Sequence, residues 1–183
     1  MILPDWQIRH LCTDSESPLV TPFDANLINP ASLDIRVGYT LKVERPIYEK
    51  TFFGKRLMHT YLDDLLDFRE HTLTNPYIIE PGQFILTSTL EDFIMPNDLA
   101  GQIQLKSTSA RKGWGHAMSG WIDPGFNGVL TLELKNYLQL GTLEIYPGMR
   151  IAQIKFYKME NPPDSNYREG KYSGKSTVCG AIE

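Results

Sequence analysis

Short apolar runs at nearly regular spacing fill the second half of the chain, and they restrict its fold more than any other feature. The runs cover residues 77–105, 128–137 and 141–159, and most of them alternate apolar with polar side chains. Three turn or breaker signals divide the first run: Pro81-Gly82, Pro96-Asn97 and Gly101. Short runs separated by turns are typical of strands in all-β proteins. The chain is therefore predicted to fold as an all-β barrel, sandwich or jelly roll.

The first half is less regular. Residues 4–12 predict a short helix with a proline or an aspartate near its start. Residues 21–32 are rich in Pro and Asn and predict a loop. Residues 33–44 alternate like a strand, with Asp34 and Arg36 on the side opposite the apolar residues. Residues 60–71 fit either a short helix or an insertion linked to strands.

The C-terminal residues 160–183 are polar, rich in Pro, Gly and Ser, and without periodicity. Such a composition predicts a flexible arm. The rest of the chain has no internal repeat and no sign of a second domain. We therefore expect one β domain over residues 1–159, followed by this arm.

Charge and cysteine content exclude several classes of protein. The formal net charge is −4 for 183 residues, which does not favour a broad nucleic-acid-binding surface. No apolar run approaches the about 18 residues of a membrane span, and Asp5 and Arg9 come too early for a signal peptide. Cys12 and Cys179 are expected to be free thiols in a reducing cytoplasm, or in the host cytoplasm for a viral protein. We expect neither a nucleic acid nor a membrane as partner.

Two carboxylates stand out in the stretch "SGWIDPGFNGVLTLEL", residues 119–134. Glu133 belongs to a strand-like run whose leucines share one face, so its side chain is expected on the other face, toward a cavity or an interface. A half-buried carboxylate there suits general acid–base chemistry, whereas on an edge strand it would face water. Asp123 heads an Asp-Pro-Gly turn, and alone it is more typical of turn capping than of catalysis. Residues 116–122 fit the other arm of a hairpin.

Residues 104–113, "QLKSTSARKG", crowd hydroxyls and the cations Lys106 and Arg111 at the end of a predicted strand. Such a group can cradle phosphate. From this segment alone, a solvated loop with helix-capping hydroxyls is the better interpretation.

The signatures of metal and nucleotide enzymes are missing. The zinc deaminases use His-x-Glu with Pro-Cys-x-x-Cys, and neither motif occurs. The four histidines have no ligand spacing with the two cysteines, and His116 is more typical of a structural or hydrogen-bonding residue. Gly-x-Ser-x-Gly, P-loop and Rossmann motifs do not occur either.

In order along the chain, these stretches resemble the dCTP deaminase family of the dUTPase-like superfamily. The resemblance covers most of the chain outside residues 45–76, and it rests on these motifs: "LPDWQIR", "PFDANLINPASLDIRVG", "EPGQFILTSTLEDFIMPNDLAG", "KSTSARKG", "SGWIDPGFNGVLTLEL", "YPGMRIAQI" and "GKYSGKST". It implies a distorted β-barrel or jelly roll that assembles as a homotrimer with active sites between subunits. It also implies that residues 160–183 form a lid over the site.

The resemblance implies zinc-independent deamination of dCTP to dUTP. The glutamate matching Glu133 activates the water that attacks C4 of the base and passes the proton to ammonia, with Arg111 near that water. The implied catalytic residues are Glu133, Arg111, Asp123 and Ser107. The implied phosphate-binding residues are Lys106, Ser107, Thr108, Arg111, Lys171, Tyr172 and Lys175. The implied base- and sugar-binding residues are His116, Ser119, Trp121, Asp123 and Gln153.

The implied ligands are dCTP and dUTP, with dTTP as a candidate feedback inhibitor. Magnesium is implied as well, carried by the triphosphate oxygens and not by protein ligands. The product of this pathway, dUMP, feeds the synthesis of dTTP.

The stretch "SGWIDPGF" is closer to bifunctional deaminase–dUTPases than to monofunctional bacterial deaminases, in which a His-Arg pair precedes Ile-Asp. Gln153 is similar to the glutamine of the bifunctional enzymes. The chain departs from the family at Ser119, where alanine is usual, and at Lys175, where glutamine is commoner. The segment 111–123 is shorter by one residue.

Three hypotheses follow. The first is dCTP deamination, either ending at dUTP or continuing to dUMP and pyrophosphate. The second is a dUTPase on a deaminase-like scaffold, which the altered hairpin favours and Glu133 disfavours. The third is a non-catalytic nucleotide-binding trimer, which the joint presence of Ser107, Arg111, Asp123 and Glu133 disfavours.

Overall fold

The computed structural model describes residues 1–14, 16–44, 48–57, 68–117 and 120–182. The two alternatives for residues 60–71 therefore fall mostly outside the described residues. Only the last part of that range is described, and it belongs to a strand, Phe68–Thr72.

The described chain contains fourteen strands, two α-helices and one 3₁₀-helix. The helices are α1 (Asp5–Thr13), the 3₁₀-helix Ala25–Leu27 and α2 (Ser107–Arg111). The strands are β1 (Val20–Thr21), β2 (Ile28–Asn29), β3 (Ser32–Glu44), β4 (Tyr48–Thr51), β5 (Gly54–Leu57), β6 (Phe68–Thr72), β7 (Tyr77–Ile79), β8 (Phe84–Ile94), β9 (Leu99–Leu105), β10 (Trp114–His116), β11 (Trp121–Ile122), β12 (Asn127–Asn136), β13 (Leu143–Ile145) and β14 (Arg150–Lys158).

One ten-stranded sheet forms most of the molecule. Seven of its strands follow the order β10-β12-β8-β3-β14-β9-β11; of the other three, β1 pairs with β8, and β2 and β6 pair with β3. The long strand β3 joins the two halves of this sheet. Its first part pairs antiparallel with β14, and its second part pairs antiparallel with β8. Register shifts in both pairings interrupt the ladders, and such bulges bend a sheet. The result is a curled half-barrel, as predicted for an all-β chain.

The inside of the curled sheet is apolar. Alternating side chains of the central strands point inward and are almost inaccessible to water: Leu33, Ile35, Val37, Leu132, Leu134, Ile154 and Phe156. Helix α1 closes one end of this core with Ile8 and Cys12, both buried. Because a core of this kind draws on strands far apart in sequence, it fixes the relative positions of β9, β12 and β14.

The predicted helix 4–12 and strand 33–44 are confirmed within one residue at each end. The loop predicted for residues 21–32 is only partly right, because this range contains the 3₁₀-helix, all of β2, the last residue of β1 and the first residue of β3.

The prediction that Gly101 breaks a strand is wrong, because Gly101 lies inside β9. A Cβ atom at this position would lie 2.9 Å from Ile122 Cδ1 and 3.3 Å from Ile154 Cγ2. The glycine therefore permits close packing of neighbouring strands instead of ending one.

The prediction for residues 116–122 is only half right. His116 pairs with Leu134 of β12, as the arm of a hairpin would. Trp121 and Ile122 instead form β11, which pairs with β9.

Both cysteines are free, as predicted. Burial raises the pKa of the Cys12 thiol to about 12, so this side chain stays protonated and behaves as a small apolar residue. In the part of the chain that the structure describes, no helix is long and apolar enough to cross a membrane.

Candidate active site

Strand β12 places Glu133 in a cavity. Its leucines, Leu130, Leu132 and Leu134, are buried in the core, whereas Thr131 and Glu133 on the opposite face are half-buried. Since β12 lies between β10 and β8, it is not an edge strand at this position. Thr131 and Glu133 line a cavity of about 440 Å³. The predicted orientation of Glu133 is confirmed, and a volume of this order suits a small-molecule ligand.

His116 on β10 lies beside Glu133. The Ala117 N–H donates to the Glu133 carbonyl oxygen at 2.9 Å, which holds the two strands in register. His116 Nε2 is 3.5 Å from Glu133 Oε2, and the imidazole is only 7% exposed. This nitrogen is buried and makes no hydrogen bond within the described residues. Burial lowers the pKa of His116, so the ring is neutral at pH 7.

Trp121 connects this cavity to a smaller one. The smaller cavity has a volume of about 270 Å³, and both cavities are lined by Trp121 and Ile103, while His116 lines the smaller one. The Trp121 indole N–H donates to Asp123 Oδ1 at 3.1 Å, and its ring stacks on Tyr157 with centroids 6.2 Å apart. Asp123 therefore lies next to a cavity wall, with one carboxylate oxygen already bonded.

Residues 173–179 of the C-terminal segment lie against β12, and part of this segment lines the larger cavity. Tyr172 and Lys175 line it, and so does Cys179. The Val129 N–H donates to the Lys175 carbonyl oxygen at 2.9 Å, and the Cys179 N–H donates to Thr131 Oγ1 at 3.1 Å. Lys171 does not line the cavity, because its ammonium group donates to the Ile182 carbonyl oxygen at 2.5 Å.

The phosphate-binding residues predicted on α2 lie elsewhere. Helix α2 begins two residues after β9 ends, and Ser107, Thr108 and Arg111 on it are exposed. Within the described part of the chain, these three side chains have no hydrogen bond or ion pair, and they do not line the cavity of Glu133. The hydroxyls and the guanidinium group are therefore available to a ligand or to another chain.

Lys106 is held by a carboxylate that the sequence did not identify. Its Nζ lies 2.6 and 2.5 Å from the two oxygens of Asp34, which is 2% exposed and also accepts from Asn29 Nδ2 at 2.8 Å. The alternation predicted a polar face for Asp34, and the structure buries that face as well. No local signal predicts the pair, since its members are 72 residues apart.

Gln153 lies on β14 next to this group. Its register partners are Asp34 on β3 and Gln104 on β9, and its Oε1 accepts from the Ser32 hydroxyl at 2.9 Å. Ser119, the last of the predicted site residues, lies outside the described residues. Among those described, no group of three or more His, Cys, Asp or Glu side chains could hold a metal ion.

The class of this protein is an all-β, curled half-barrel whose larger cavity has the Glu133 carboxylate of β12 in its wall. The deoxycytidine triphosphate deaminase of Agrobacterium tumefaciens has the same fold, with a TM-score of 0.63 and 24% identity over 85% of this chain. The chain spans about half of that protein's length, 47%. Residues 2–159 match the family model described as dCTP deaminase-like, and the chain belongs to this family.

Two relatives are similar over most of their length. The dUMP-forming dCTP deaminase of Corynebacterium kroppenstedtii is 36% identical over 180 residues, which cover 96% of this chain and 91% of the relative. The dUMP-forming dCTP deaminase of Mycobacterium marinum is 36% identical over 165 residues, which cover 85% of this chain and 82% of the relative.

Proposed function

We propose that this chain is a dCTP deaminase that converts dCTP to dUMP, ammonia and pyrophosphate. The observation that carries the proposal is Glu133, a carboxylate on the cavity side of β12 with a buried neutral imidazole beside it. The relatives named dUMP-forming dCTP deaminases support the substrate and the product, since they match nearly the whole chain.

Deamination requires one group that moves a proton twice. In the proposed reaction, Glu133 takes a proton from a water molecule while the water oxygen bonds to C4 of cytosine. The carboxyl group then gives this proton to the amino group, the C4–N bond breaks and ammonia leaves. The C4 carbonyl forms at the same time, and the second proton of the attacking water ends on N3 of the uracil ring. A half-buried carboxylate suits both transfers, because it is near water yet partly shielded from it.

His116 is proposed to keep Glu133 and the base in position. A neutral imidazole does not neutralise the charge of Glu133, so the carboxylate keeps its capacity to accept a proton. His116 lines the smaller cavity, and its buried Nε2 makes no hydrogen bond within the described residues. Trp121 and Ser119 are proposed to complete the base and sugar pocket.

The phosphates are proposed to bind to Ser107, Thr108 and Arg111 of a neighbouring subunit in a homotrimer. The supporting observation is that these side chains are exposed and have no partner among the described residues. Lys106 would act at the edge of that site, oriented by Asp34. We propose that residues 160–183 act as the lid, with Lys171, Tyr172 and Lys175 close to the phosphates, and that dCTP enters as its magnesium complex.

The second reaction is proposed to use Asp123 and Gln153. Asp123 would orient a water molecule toward the α-phosphorus of dUTP, the bond from that phosphorus to the bridging oxygen would break, and pyrophosphate would leave. The sugar 3′-hydroxyl is the second proposed partner of Asp123. The hydrogen bond from the Trp121 N–H holds one carboxylate oxygen of Asp123 and leaves the other oxygen for these partners.

An end-point assay with dCTP and magnesium, with products separated by chromatography, tests the proposal. We expect dUMP, pyrophosphate and ammonia without accumulation of dUTP, and added dTTP should slow the reaction. Accumulation of dUTP would limit the enzyme to deamination. If dCTP stays intact while dUTP is hydrolysed, the chain is a dUTPase; if neither changes, it is a binding protein.

A further inference from the structure

A second cation lies beside Lys106, and the proposed function does not use it. Arg150 is the first residue of β14, and its Nη1 atom lies 3.9 Å from Oδ2 of Asp34. Lys106 Nζ lies 2.5 Å from the same oxygen. The two cationic nitrogens are therefore at most 6.4 Å apart, the sum of these two distances. They form one cluster around a single buried carboxylate.

A backbone hydrogen bond brings this cluster next to α2. The Lys106 N–H donates to the Ile151 carbonyl oxygen at 3.1 Å, and this bond joins the residue before α2 to the start of β14. Ser107 and Arg150 are each one residue away from the two residues that the bond joins. Arg150 is therefore a neighbour of the phosphate-binding residues proposed on α2.

The charges of this cluster do not cancel. Lys106 donates to both oxygens of Asp34, so one positive charge is paired with one negative charge. Arg150 lies at ion-pair distance from Asp34, but its guanidinium group makes no hydrogen bond with the described residues, and its side chain is 56% exposed. Arg36, the register partner of Arg150 on β3, is in contrast bonded to Glu91 at 2.6 Å. One positive charge therefore remains, and its N–H donors are open to water.

We propose that Arg150, together with Lys106 and α2, binds the β- and γ-phosphates of the nucleotide. This inference rests on the proposed function, which puts the phosphates at α2 and uses Gln153 in the reaction at the α-phosphorus. Arg150 lies three residues before Gln153 on β14, about 10 Å along an extended strand. A long arginine side chain at that distance reaches the two phosphates beyond the α-phosphorus.

An arginine suits the proposed leaving group. A guanidinium group presents its donors in a fixed plane that matches two phosphate oxygens at once. When the bond from the α-phosphorus to the bridging oxygen breaks, the electron pair of that bond stays with the departing pyrophosphate. A cation already placed beside the pyrophosphate stabilises this charge. In this arrangement Arg150 contacts the pyrophosphate portion of the nucleotide and neither the base nor the sugar.

Isothermal titration calorimetry tests this proposal, with magnesium pyrophosphate and dCMP as separate probes. Because dCMP has the base, the sugar and one phosphate, it lacks the portion assigned to Arg150. We expect Arg150→Gln to weaken the binding of pyrophosphate about tenfold, the effect of losing one hydrogen bond between charged groups, and to leave the binding of dCMP unchanged. Arg150→Lys keeps the charge and should lose less affinity. Arg9→Gln, at an exposed arginine on α1, changes the net charge equally and should bind both probes like the wild type.

Equal pyrophosphate affinity in wild type and Arg150→Gln would overturn the proposal, as would a wild type that does not bind pyrophosphate at millimolar concentration. An equal loss for dCMP and pyrophosphate would overturn it too, because Arg150 would then support the site as a whole. Sedimentation of each variant completes the test, since a smaller assembly in Arg150→Gln would assign Arg150 to a subunit contact instead.

The deamination of dCTP by the wild type is measured separately, so the two proposals can fail independently. If dCTP stays intact while pyrophosphate binding depends on Arg150, the proposed function is wrong and the pyrophosphate site remains. If dCTP is deaminated while Arg150→Gln binds pyrophosphate like the wild type, only the role of Arg150 is wrong.

Discussion

The Glu133 carboxylate lies at a boundary between the core and a cavity. Leu132 and Leu134, its neighbours on β12, are completely buried, while Glu133 itself reaches a space large enough for a nucleotide base. A carboxylate in such a position is in contact with water on the cavity side, while the packed core on the other side restricts its movement. These are the conditions that a general base needs.

Replacement of Glu133 by glutamine should therefore stop deamination while preserving the shape of the site. We expect release of ammonia from dCTP to fall about 10³-fold, in the range that a general acid–base contributes, and hydrolysis of dUTP to continue. Glu144→Gln, at an exposed glutamate on β13, is the matched control and should behave like the wild type. Undiminished ammonia release by Glu133→Gln would refute the proposed mechanism.

His116 should make the stability of the protein depend on pH in a defined direction. Burial lowers its pKa in the folded chain below the ordinary 6.5, so as the pH falls the unfolded chain takes up this proton first. The contribution of the buried neutral His116 to the free energy of unfolding is fully present above pH 6.5. It is lost as the pH falls below 6.5, by about 1.4 kcal/mol for each unit by which the pKa is lowered.

Urea unfolding at pH 7.5 and at pH 5.5 measures this effect. His116→Gln should lose less stability than the wild type between the two conditions, because glutamine takes up no proton. His10→Gln, at an exposed histidine, is the control and should parallel the wild type. Equal losses in wild type and His116→Gln would show that burial of His116 has no such effect.

At the scale of elements, the strands could be predicted far better than their partners. The alternation in β3, β8 and β12 predicts strands because period two is a local property of the sequence. The burial of Asp34 could not be predicted in this way, since it depends on Lys106, which is 72 residues away. Val178 in the polar tail is likewise buried, and its N–H donates to Thr40 Oγ1 across 138 residues.

The site shows the same limit. The motifs predicted Glu133, Trp121, Tyr172 and Lys175, which meet at one cavity. They did not predict that the residues of α2 would not line that cavity within the same chain. The reason is that a linear motif contains no information about where its residues lie in the folded chain.

Gly101 provides a test at this scale. Gly101→Ala should lower the free energy of unfolding by about 1–3 kcal/mol, because its Cβ would press against Ile122 and Ile154. Gly180→Ala is the control, since a Cβ there meets no atom within 4 Å. Urea unfolding measures the difference in the free energy of unfolding between the variants, and the slope of this free energy against urea concentration should be the same for all of them. If both variants are equally stable, the close packing at Gly101 does not constrain β9.

At the scale of the whole molecule, the separation of α2 from the Glu133 cavity bears on the assembly. A deaminase that needs both a base-binding cavity and phosphate-binding side chains must bring them together. In one chain, Ser107 and Arg111 are exposed and do not line the cavity of Glu133. Rotational symmetry solves this problem, because α2 of one subunit can then face the cavity of the next. A homotrimer would have a mass of about 63 kDa, three times the 20.9 kDa of one chain.

Complementation between inactive variants tests this arrangement. Glu133→Gln and Arg111→Ala should each be inactive in deamination, and mixing them after subunit exchange should restore activity. If a site takes Glu133 from one chain and Arg111 from another, about a quarter of the sites in a random mixture have both residues. A mixture of wild type and Glu133→Gln, exchanged in the same way, calibrates the assay. If each site takes both residues from one chain, no mixture of the two inactive variants can contain a complete site. Persistent inactivity together with proven exchange would therefore place Arg111 and Glu133 in the same subunit's site.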